Sequence, residues 1–227
     1  MQSQMAIEQI AATLAHEIKN PISLVRAYVD LLELEDATEI NAKSYIIMRR
    51  ELDKVSDIMM DFMDLTKPIG NQFEGISLNP FIVNIIEHMK GFSKNRIQFS
   101  LEAEPVTILG DKTTLSRVFF NIYKNSCEAL TDNGKIHTCV VTDKDNVVIT
   151  ITDNGIGFTK NIKEKLATPF FTTKKTGSGL GIYICKNIIE AHSGTFEIDS
   201  VYEKGCTVTL QLPIEQKKDY LTEKKVR

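Results

Sequence analysis

Residues 147–158, V-V-I-T-I-T-D-N-G-I-G-F, decide the fold of the larger part of the chain. A β-branched strand leads directly into a loop that carries Asp153, Gly155 and Gly157. Glycine tolerates positive φ, so this spacing suits a strand that turns sharply into a loop. A buried aspartate at such a turn is suited to accept a hydrogen bond from the exocyclic amine of adenine. The same pattern also serves turns that bind nothing, so the neighbouring segments must decide.

The segments around this loop predict a mixed α+β domain. We expect helices at 79–89, 113–130 and 179–191, and strands at 96–101, 106–109, 136–141, 147–151, 195–198 and 206–212. Asn79 is the predicted N-cap of the first helix, with Pro80 at its first position. Strands and helices do not alternate strictly, which indicates an α+β sandwich with helices on one face of an open sheet.

The chain before Pro68 has a different period. Apolar residues recur in steps of three, four or seven, at Ile7, Ile10, Leu14, Ile18, Val25, Tyr28 and Leu32, and again at Tyr45, Met48, Leu52, Val55, Met59 and Phe62. This spacing is typical of two helices that pack lengthwise. Each helix of such a hairpin has a second face to cover, so a dimer forming a four-helix bundle is the economical arrangement. A hairpin docked on its own second domain is the alternative.

The predicted domains are therefore an all-α helical hairpin at 1–68, a linker at 69–77, an α+β domain at 78–215 and a basic tail at 216–227. The 227 residues carry 27 Lys and Arg against 30 Asp and Glu, a net charge of −3. Without a basic excess, nucleic acid is not an expected partner. No apolar run reaches membrane-spanning length, and four scattered cysteines read as reduced thiols, which favours a cytoplasmic location for this chain.

Residues 14–21, L-A-H-E-I-K-N-P, carry the first chemical signal. His16 lies two residues from both Leu14 and Ile18, so it faces away from the buried stripe. A mid-helix proline costs about 3 kcal/mol, so Pro21 predicts a bend or local mobility beside His16. Glu17 can hold one imidazole nitrogen and leave the other as a nucleophile. The other histidines, His88, His137 and His192, lack such neighbours and are assigned to structure.

Two further segments suit a nucleotide. Asn121 and Asn125 lie four residues apart on one helix face, where amide oxygens can serve Mg²⁺; ordinary surface amides are the alternative. Residues 174–181, K-K-T-G-S-G-L-G, open the last helix, and backbone amides at such an N-terminus cradle phosphate. This loop fits neither the dinucleotide-binding fingerprint nor the P-loop.

Taken in order, A-H-E-I-K-N-P, N-I-Y-K-N-S-C-E-A, D-N-G-I-G-F, P-F-F-T-T-K and G-S-G-L-G resemble the catalytic core of sensor histidine kinases. They match the H, N, G1, F and G2 boxes of that family, from about Met5 to Pro213. The first motif and the last two look most like the sporulation kinases of Gram-positive spore formers. The resemblance implies a dimerisation and phosphotransfer hairpin followed by an ATP-binding domain shared with gyrase and chaperone ATPases.

In the hairpin, the resemblance implies that His16 is the phosphoacceptor and Glu17 its base. Asn20 matches the polar residue linked to phosphatase behaviour. The implied partners are a second copy of the chain, the receiver domain of a response regulator, and an inhibitory protein on the hairpin.

In the ATP-binding domain, the resemblance makes Asn125 the Mg²⁺ ligand and sets Asn121 and Lys124 near the phosphates. Asp153 matches the adenine-binding aspartate and Thr207 a residue near the base. The remaining residues that the resemblance implies around the nucleotide are Gly155, Gly157, Lys174, Thr176, Gly177, Ser178, Gly179, Leu180 and Gly181. Phe170 and Phe171 match the lid aromatics that dock on the hairpin. Ser126 stands where alanine is common, a small change expected to leave nucleotide binding unaffected.

The expected function is ATP-dependent autophosphorylation of His16, followed by transfer to an aspartate of a response regulator in a two-component system or phosphorelay. Three alternatives are a gyrase-like ATPase, a nucleotide-binding dimeric scaffold, and a relative that acts mainly as a phosphatase. Each ATP-binding domain serves either its own His16 or that of the other chain. Any input domain lies outside this chain, either elsewhere in the parent protein or in another protein. The sequence leaves open whether an upstream sensor region anchors the parent protein in a membrane.

Overall fold

The computed structural model describes residues 18–30, 44–53, 55–56, 58–59, 72–92, 97–130, 134–166, 168–174 and 179–214. These residues fall into two compact units. One lies within Met1–Lys67 and Thr168–Gly181, and the other within Pro68–Ala167 and Ile182–Arg227. The predicted site residues His16, Glu17, Thr176, Gly177 and Ser178 lie outside the described residues. No helix in the described ranges is both long and apolar enough to cross a bilayer.

The first unit contains helix α1, described at 18–30, and helix α2, described at 44–53, 55–56 and 58–59. Helix α1 continues through Pro21, whose side chain is buried. In α2, the buried side chains are those of Ser44, Met48, Glu51 and Ile58. Tyr45, Leu52 and Met59 are exposed, so the predicted apolar stripe of α2 is divided between a buried side and an exposed side.

The second unit follows the order β1 (Glu74–Ser77), α3 (Leu78–Phe92), β2 (Ile97–Ala103), β3 (Thr107–Gly110), α4 (Lys112–Ala129), β4 (Gly134–Asp143), β5 (Asn146–Asp153), α5 (Lys160–Lys163), α6 (Gly181–Ala191), β6 (Thr195–Val201) and β7 (Gly205–Pro213). Five strands form one sheet in the order β2-β4-β5-β7-β6, and β1 pairs with β3 separately. Only β2 and β4 run parallel among these pairs, across the connection that contains α4.

The core lies between one face of the large sheet and the helices. Buried and less buried residues alternate along β4 and β5, as expected for strands with one covered face. From α4, the Tyr123 hydroxyl reaches the Thr138 hydroxyl of β4 at 2.7 Å, and Phe119 meets Phe81 of α3 edge-to-face at 5.5 Å. This arrangement confirms the predicted α+β sandwich.

Helix α4 is fixed at its N-terminus by a buried histidine. The Asp111 side chain caps the helix by accepting from the Thr113 and Thr114 amides, at 3.0 and 3.1 Å. The Asp111 amide donates to Nε2 of His192 at 3.0 Å, and Nδ1 of His192 donates to the Ile188 carbonyl at 2.7 Å. His192 therefore joins the end of α6 to the start of α4, which is the structural role predicted for it.

Two local differences from the predicted elements have physical causes. Asn79 is not an N-cap, because α3 already begins at Leu78, whose amide donates to the Val106 carbonyl at 3.0 Å. Asn79 instead lies in the first turn and donates its amide to the Ala103 carbonyl at 3.3 Å. Strand β1 forms within the stretch expected to be a linker, because β3 supplies its pairing partner.

Candidate nucleotide-binding site

The site is built around Asp153, the last residue of β5, which is only 4% exposed. Its Oδ1 accepts from the Gly155 amide at 3.0 Å and from the Cys206 amide at 3.2 Å. Its Oδ2 accepts from the Ser126 hydroxyl of α4 at 2.9 Å. A buried carboxylate needs such donors, and this set fixes the orientation of Asp153.

The loop after Asp153 approaches two neighbouring backbones closely. A Cβ at Gly155 would lie 2.7 Å from the Ala129 carbonyl oxygen, which also accepts from the Ile156 amide. Gly157 has a φ of +56°, and a Cβ there would lie 2.3 Å from the Val201 carbonyl oxygen. Both predicted glycines are therefore required by the space available at the end of α4 and at the β6–β7 turn.

The β6–β7 turn holds the same loop from the other side. The Ser200 hydroxyl donates to the Gly205 carbonyl at 2.7 Å and accepts from the Phe158 amide at 2.9 Å. Gly205 has a φ of +108°, and a Cβ there would lie 1.9 Å from the Asp153 carbonyl oxygen. The sequence predicted no role for Ser200 or Gly205. The signal that could have identified Gly205 is a glycine directly before a β-branched strand.

Asn121 and Asn125 lie one turn apart on α4 and are both half-buried, while Lys124 is exposed. Nδ2 of Asn121 is buried and has no hydrogen-bond partner among the described residues. Leaving a buried donor unsatisfied costs about 1–3 kcal/mol, so this amide is poised for an acceptor such as a phosphate oxygen. Within the described ranges of the chain, no group of three or more His, Cys, Asp or Glu side chains is arranged to hold a metal.

Two thiols lie close enough to Asp153 to respond to its charge. Burial raises the pKa of Cys206 to about 12, and the charges of Asp153 and Asp199 add to this effect. Burial also raises the pKa of Cys127 to about 11, with contributions from Glu128 and Asp153. Both thiols are therefore neutral near pH 7 and place no second negative charge beside the carboxylate. All four cysteines are free, as the sequence predicts.

The structure does not bring the Thr207 side chain together with Asp153. Strand register pairs Thr207 with Thr152, and the two hydroxyls lie 3.2 Å apart. Asp153 pairs instead with Cys206. Because side chains alternate along a strand, Thr207 lies on the opposite face of the sheet from the carboxylate. Cys206 is the residue of β7 directly opposite Asp153, on the same face of the sheet.

The other predicted residues belong to the first unit. Gly179 has a φ of +70°, and a Cβ there would lie 2.4 Å from the carbonyl carbon of Phe170. Leu180 is fully buried, and Gly181 begins α6. Lys174 is exposed, and its amide donates to the Thr172 hydroxyl at 3.0 Å. Asn20 is exposed on α1.

Two known domain families match this chain. Residues 110–216 match the family described as histidine kinase-, DNA gyrase B-, and HSP90-like ATPase. Residues 6–70 match the His Kinase A (phospho-acceptor) domain. Sporulation kinase B of Bacillus subtilis (strain 168) is 33% identical over 214 residues, which cover 91% of this chain and 50% of that kinase. The chain thus spans about half the length of this relative.

Solved structures of histidine kinases are also similar to this chain. The catalytic domain of histidine kinase ThkA is 30% identical, with a TM-score of 0.58, over 63% of this chain and 97% of that domain. ThkA in complex with the response regulator protein TrrA superposes with a TM-score of 0.77 at 27% identity, covering 94% of this chain and 64% of that one. The predicted resemblance, including that to the sporulation kinases, is confirmed. The chain belongs to the histidine kinase family, with a phospho-acceptor domain followed by a gyrase- and HSP90-like ATPase domain.

Proposed function

We propose that this chain is the core of an ATP-dependent protein-histidine kinase, which phosphorylates itself on His16 and passes the phosphoryl group to a response regulator. The observation that carries the proposal is that the same domain holds a fixed, buried Asp153 and an Asn121 amide nitrogen that has no hydrogen-bond partner among the described residues. The Asp153 carboxylate suits the amino group of a base, and the Asn121 amide suits a phosphate. An ordinary surface helix needs neither.

Asp153 is proposed to bind adenine. Its Oδ1 already accepts two backbone amides, whereas Oδ2 accepts only the Ser126 hydroxyl among the hydrogen bonds described above. A carboxylate oxygen has room for a further donor. The exocyclic amine of adenine fits this remaining acceptor position.

Asn121 is proposed to donate its buried Nδ2 to a phosphate oxygen. Asn125 is proposed to hold Mg²⁺ through its side-chain oxygen, which fits an ion that takes few protein ligands and keeps phosphates and waters as the others. Bound Mg²⁺ would offset negative charge on the phosphates. Lys124 and the loop residues Lys174, Thr176, Gly177, Ser178, Gly179, Leu180 and Gly181 are the further phosphate contacts proposed from the family pattern.

The proposed transfer uses His16 as the nucleophile. A ring nitrogen of neutral His16 forms a bond to the γ-phosphorus while the bond to the ADP oxygen breaks. Glu17 accepts a hydrogen bond from the N–H of the other ring nitrogen, which orients the imidazole, and it takes that proton once the first nitrogen is phosphorylated. An aspartate of the response regulator then takes the phosphoryl group. Asn20 is assigned to the phosphatase reaction of the same site.

A homodimer is proposed through the hairpin. Tyr45, Leu52 and Met59 recur every seven residues on α2 and are 62%, 52% and 44% exposed in the single chain. Exposed apolar side chains at this period are typical of a seam between helices. The ThkA–TrrA complex supports a response regulator as the second partner. An inhibitory protein on the hairpin, a cytoplasmic location and the domain limits at 68 and 78 remain proposals from sequence.

The test is phosphoryl labelling. With γ-labelled ATP and Mg²⁺, the full chain should acquire a label that is lost in acid and survives alkali, as expected of a P–N bond. His16→Ala should abolish the label and leave ADP affinity unchanged. The matched control is His88→Ala, which removes an exposed histidine on α3 and should label normally.

Label that persists in His16→Ala contradicts the assignment of the phosphoacceptor. Tight ADP binding without any label in the unaltered chain favours the scaffold or phosphatase alternative instead.

A further inference from the structure

Ser126 contacts the proposed base-binding residue from inside the core. It directly follows Asn125 on α4, is 5% exposed, and donates its hydroxyl to Asp153 Oδ2 at 2.9 Å. Alanine is common at this position in the family that the chain resembles, and alanine has no group that can make this bond. The hydrogen bond to Asp153 therefore gives this position a contact that the sequence did not predict.

Donors and acceptors around Asp153 restrict what the pair can recognise. An ionised carboxylate only accepts, so the single proton of Ser126 Oγ is committed to Oδ2. The Gly155 and Cys206 amides are likewise committed to Oδ1. The free capacity of the pair is then acceptor-only: a lone pair on Oδ2 and the lone pairs on Ser126 Oγ. An amino group matches this surface, whereas a carbonyl oxygen meets acceptors alone.

We propose that Ser126 is a specificity-determining residue of the nucleotide site. Its hydroxyl holds Asp153 in one orientation and adds acceptor lone pairs beside Oδ2, which strengthens the binding of a 6-aminopurine relative to a 6-oxopurine. This inference rests on the proposed function, since it takes Asp153 as the contact for the purine 6-position. A Ser126→Ala chain keeps the buried volume nearly unchanged and loses both effects.

The experiment measures binding of ADP and of inosine diphosphate to the full chain by calorimetry. Inosine diphosphate carries a 6-oxo group in place of the 6-amino group. Ser126→Ala should weaken ADP roughly 10-fold, the scale of one hydrogen bond to a charged group, with little change for inosine diphosphate. The ratio of the two affinities should therefore shrink by about the same factor.

Two variants serve as controls. Ser126→Thr keeps the hydroxyl and should retain most of the preference for ADP. Ser116→Ala removes an exposed hydroxyl on the same helix, bonded to the Lys112 carbonyl at 2.7 Å, and should leave both affinities unchanged. The ratio is the decisive readout, because a general loss of stability lowers both affinities together.

An unchanged ratio in Ser126→Ala, whether both affinities stay or both fall equally, overturns the inference. Failure of the unaltered chain to bind ADP overturns the proposed function instead, so the two failures are distinguishable.

Discussion

At the scale of single residues, Gly205 shows how closely the backbones meet behind the candidate site. Its φ of +108° is strained for any other residue, and a Cβ would lie 1.9 Å from the Asp153 carbonyl oxygen. Backbone must move to admit a side chain, so Gly205→Ala should lower the free energy of unfolding by about 2–4 kcal/mol. It should also weaken ADP binding, because the displaced strand end carries Asp153. Urea unfolding and calorimetry measure the two effects.

Gly91 provides the matched control. It lies in α3, and a Cβ there would have nothing within 4 Å. Gly91→Ala should raise the free energy of unfolding by about 0.5–1 kcal/mol, since alanine favours the helix. Equal stability changes of the same sign in the two variants would contradict the packing described for Gly205.

At the scale of elements, His192 couples the stability of the α4–α6 junction to pH. Burial lowers the pKa of His192 below 6.5, although the Ile188 carbonyl and the Asp111 charge oppose this shift. The unfolded chain therefore takes up the proton first. The stabilisation is complete above pH 6.5 and is lost as the pH falls from there through the lowered pKa of the folded protein. Urea unfolding at pH 7.5 and pH 5.5 should reveal the loss.

His192→Gln should remove this residue's part of the pH dependence and lower the free energy of unfolding at pH 7.5 by about 1–3 kcal/mol. His88→Gln, at an exposed position, is the control and should retain the pH dependence. An unaltered pH profile in His192→Gln would show that other groups cause it.

At the scale of the whole molecule, the exposed stripe on α2 predicts the oligomeric state. Leu52→Glu places a charge at the middle of Tyr45, Leu52 and Met59, and burying that charge in an apolar seam is costly. We expect the dimer to dissociate at least about 100-fold more readily. Light scattering after gel filtration measures the molar mass and so distinguishes the dimer from the monomer. Asp53→Asn, at the exposed neighbouring position, should remain dimeric.

A Leu52→Glu chain that stays dimeric would locate the interface elsewhere. A monomeric unaltered chain would favour the alternative of a hairpin covered by its own second domain.

The sequence predicted those parts of the site that depend on local pattern. Asp153 was found because glycines follow a β-branched run, and Asn121 because two amides recur four residues apart on a helix. The face on which Thr207 lies depends on strand register, and a shift of one residue moves a side chain to the other face. Periodicity does not fix that register, so Cys206 was missed.

Other features depend on partners far along the chain. Ser126 meets Asp153 across 27 residues, and β1 forms only because β3 pairs with it. The sequence predicts Asn79 as a helix cap. In the structure, the amide of the preceding residue, Leu78, donates to the carbonyl of Val106, 28 positions further along the chain, and the helix begins at Leu78. Such contacts arise from the tertiary fold and leave no local signal.

Hydrogen bonds hold both ends of α4 in place, so the number of residues between its two ends is fixed. Asp111 ties its start to His192, and the Ala129 carbonyl ties its end to Ile156. Adding or removing one residue between these anchors would rotate half of the helix by about 100° and slide it by about 1.5 Å. Asn121 and Ser126 would then no longer face their targets together. Insertions in engineered or natural variants should therefore be tolerated at the Lys144–Asp145 turn and rejected within α4.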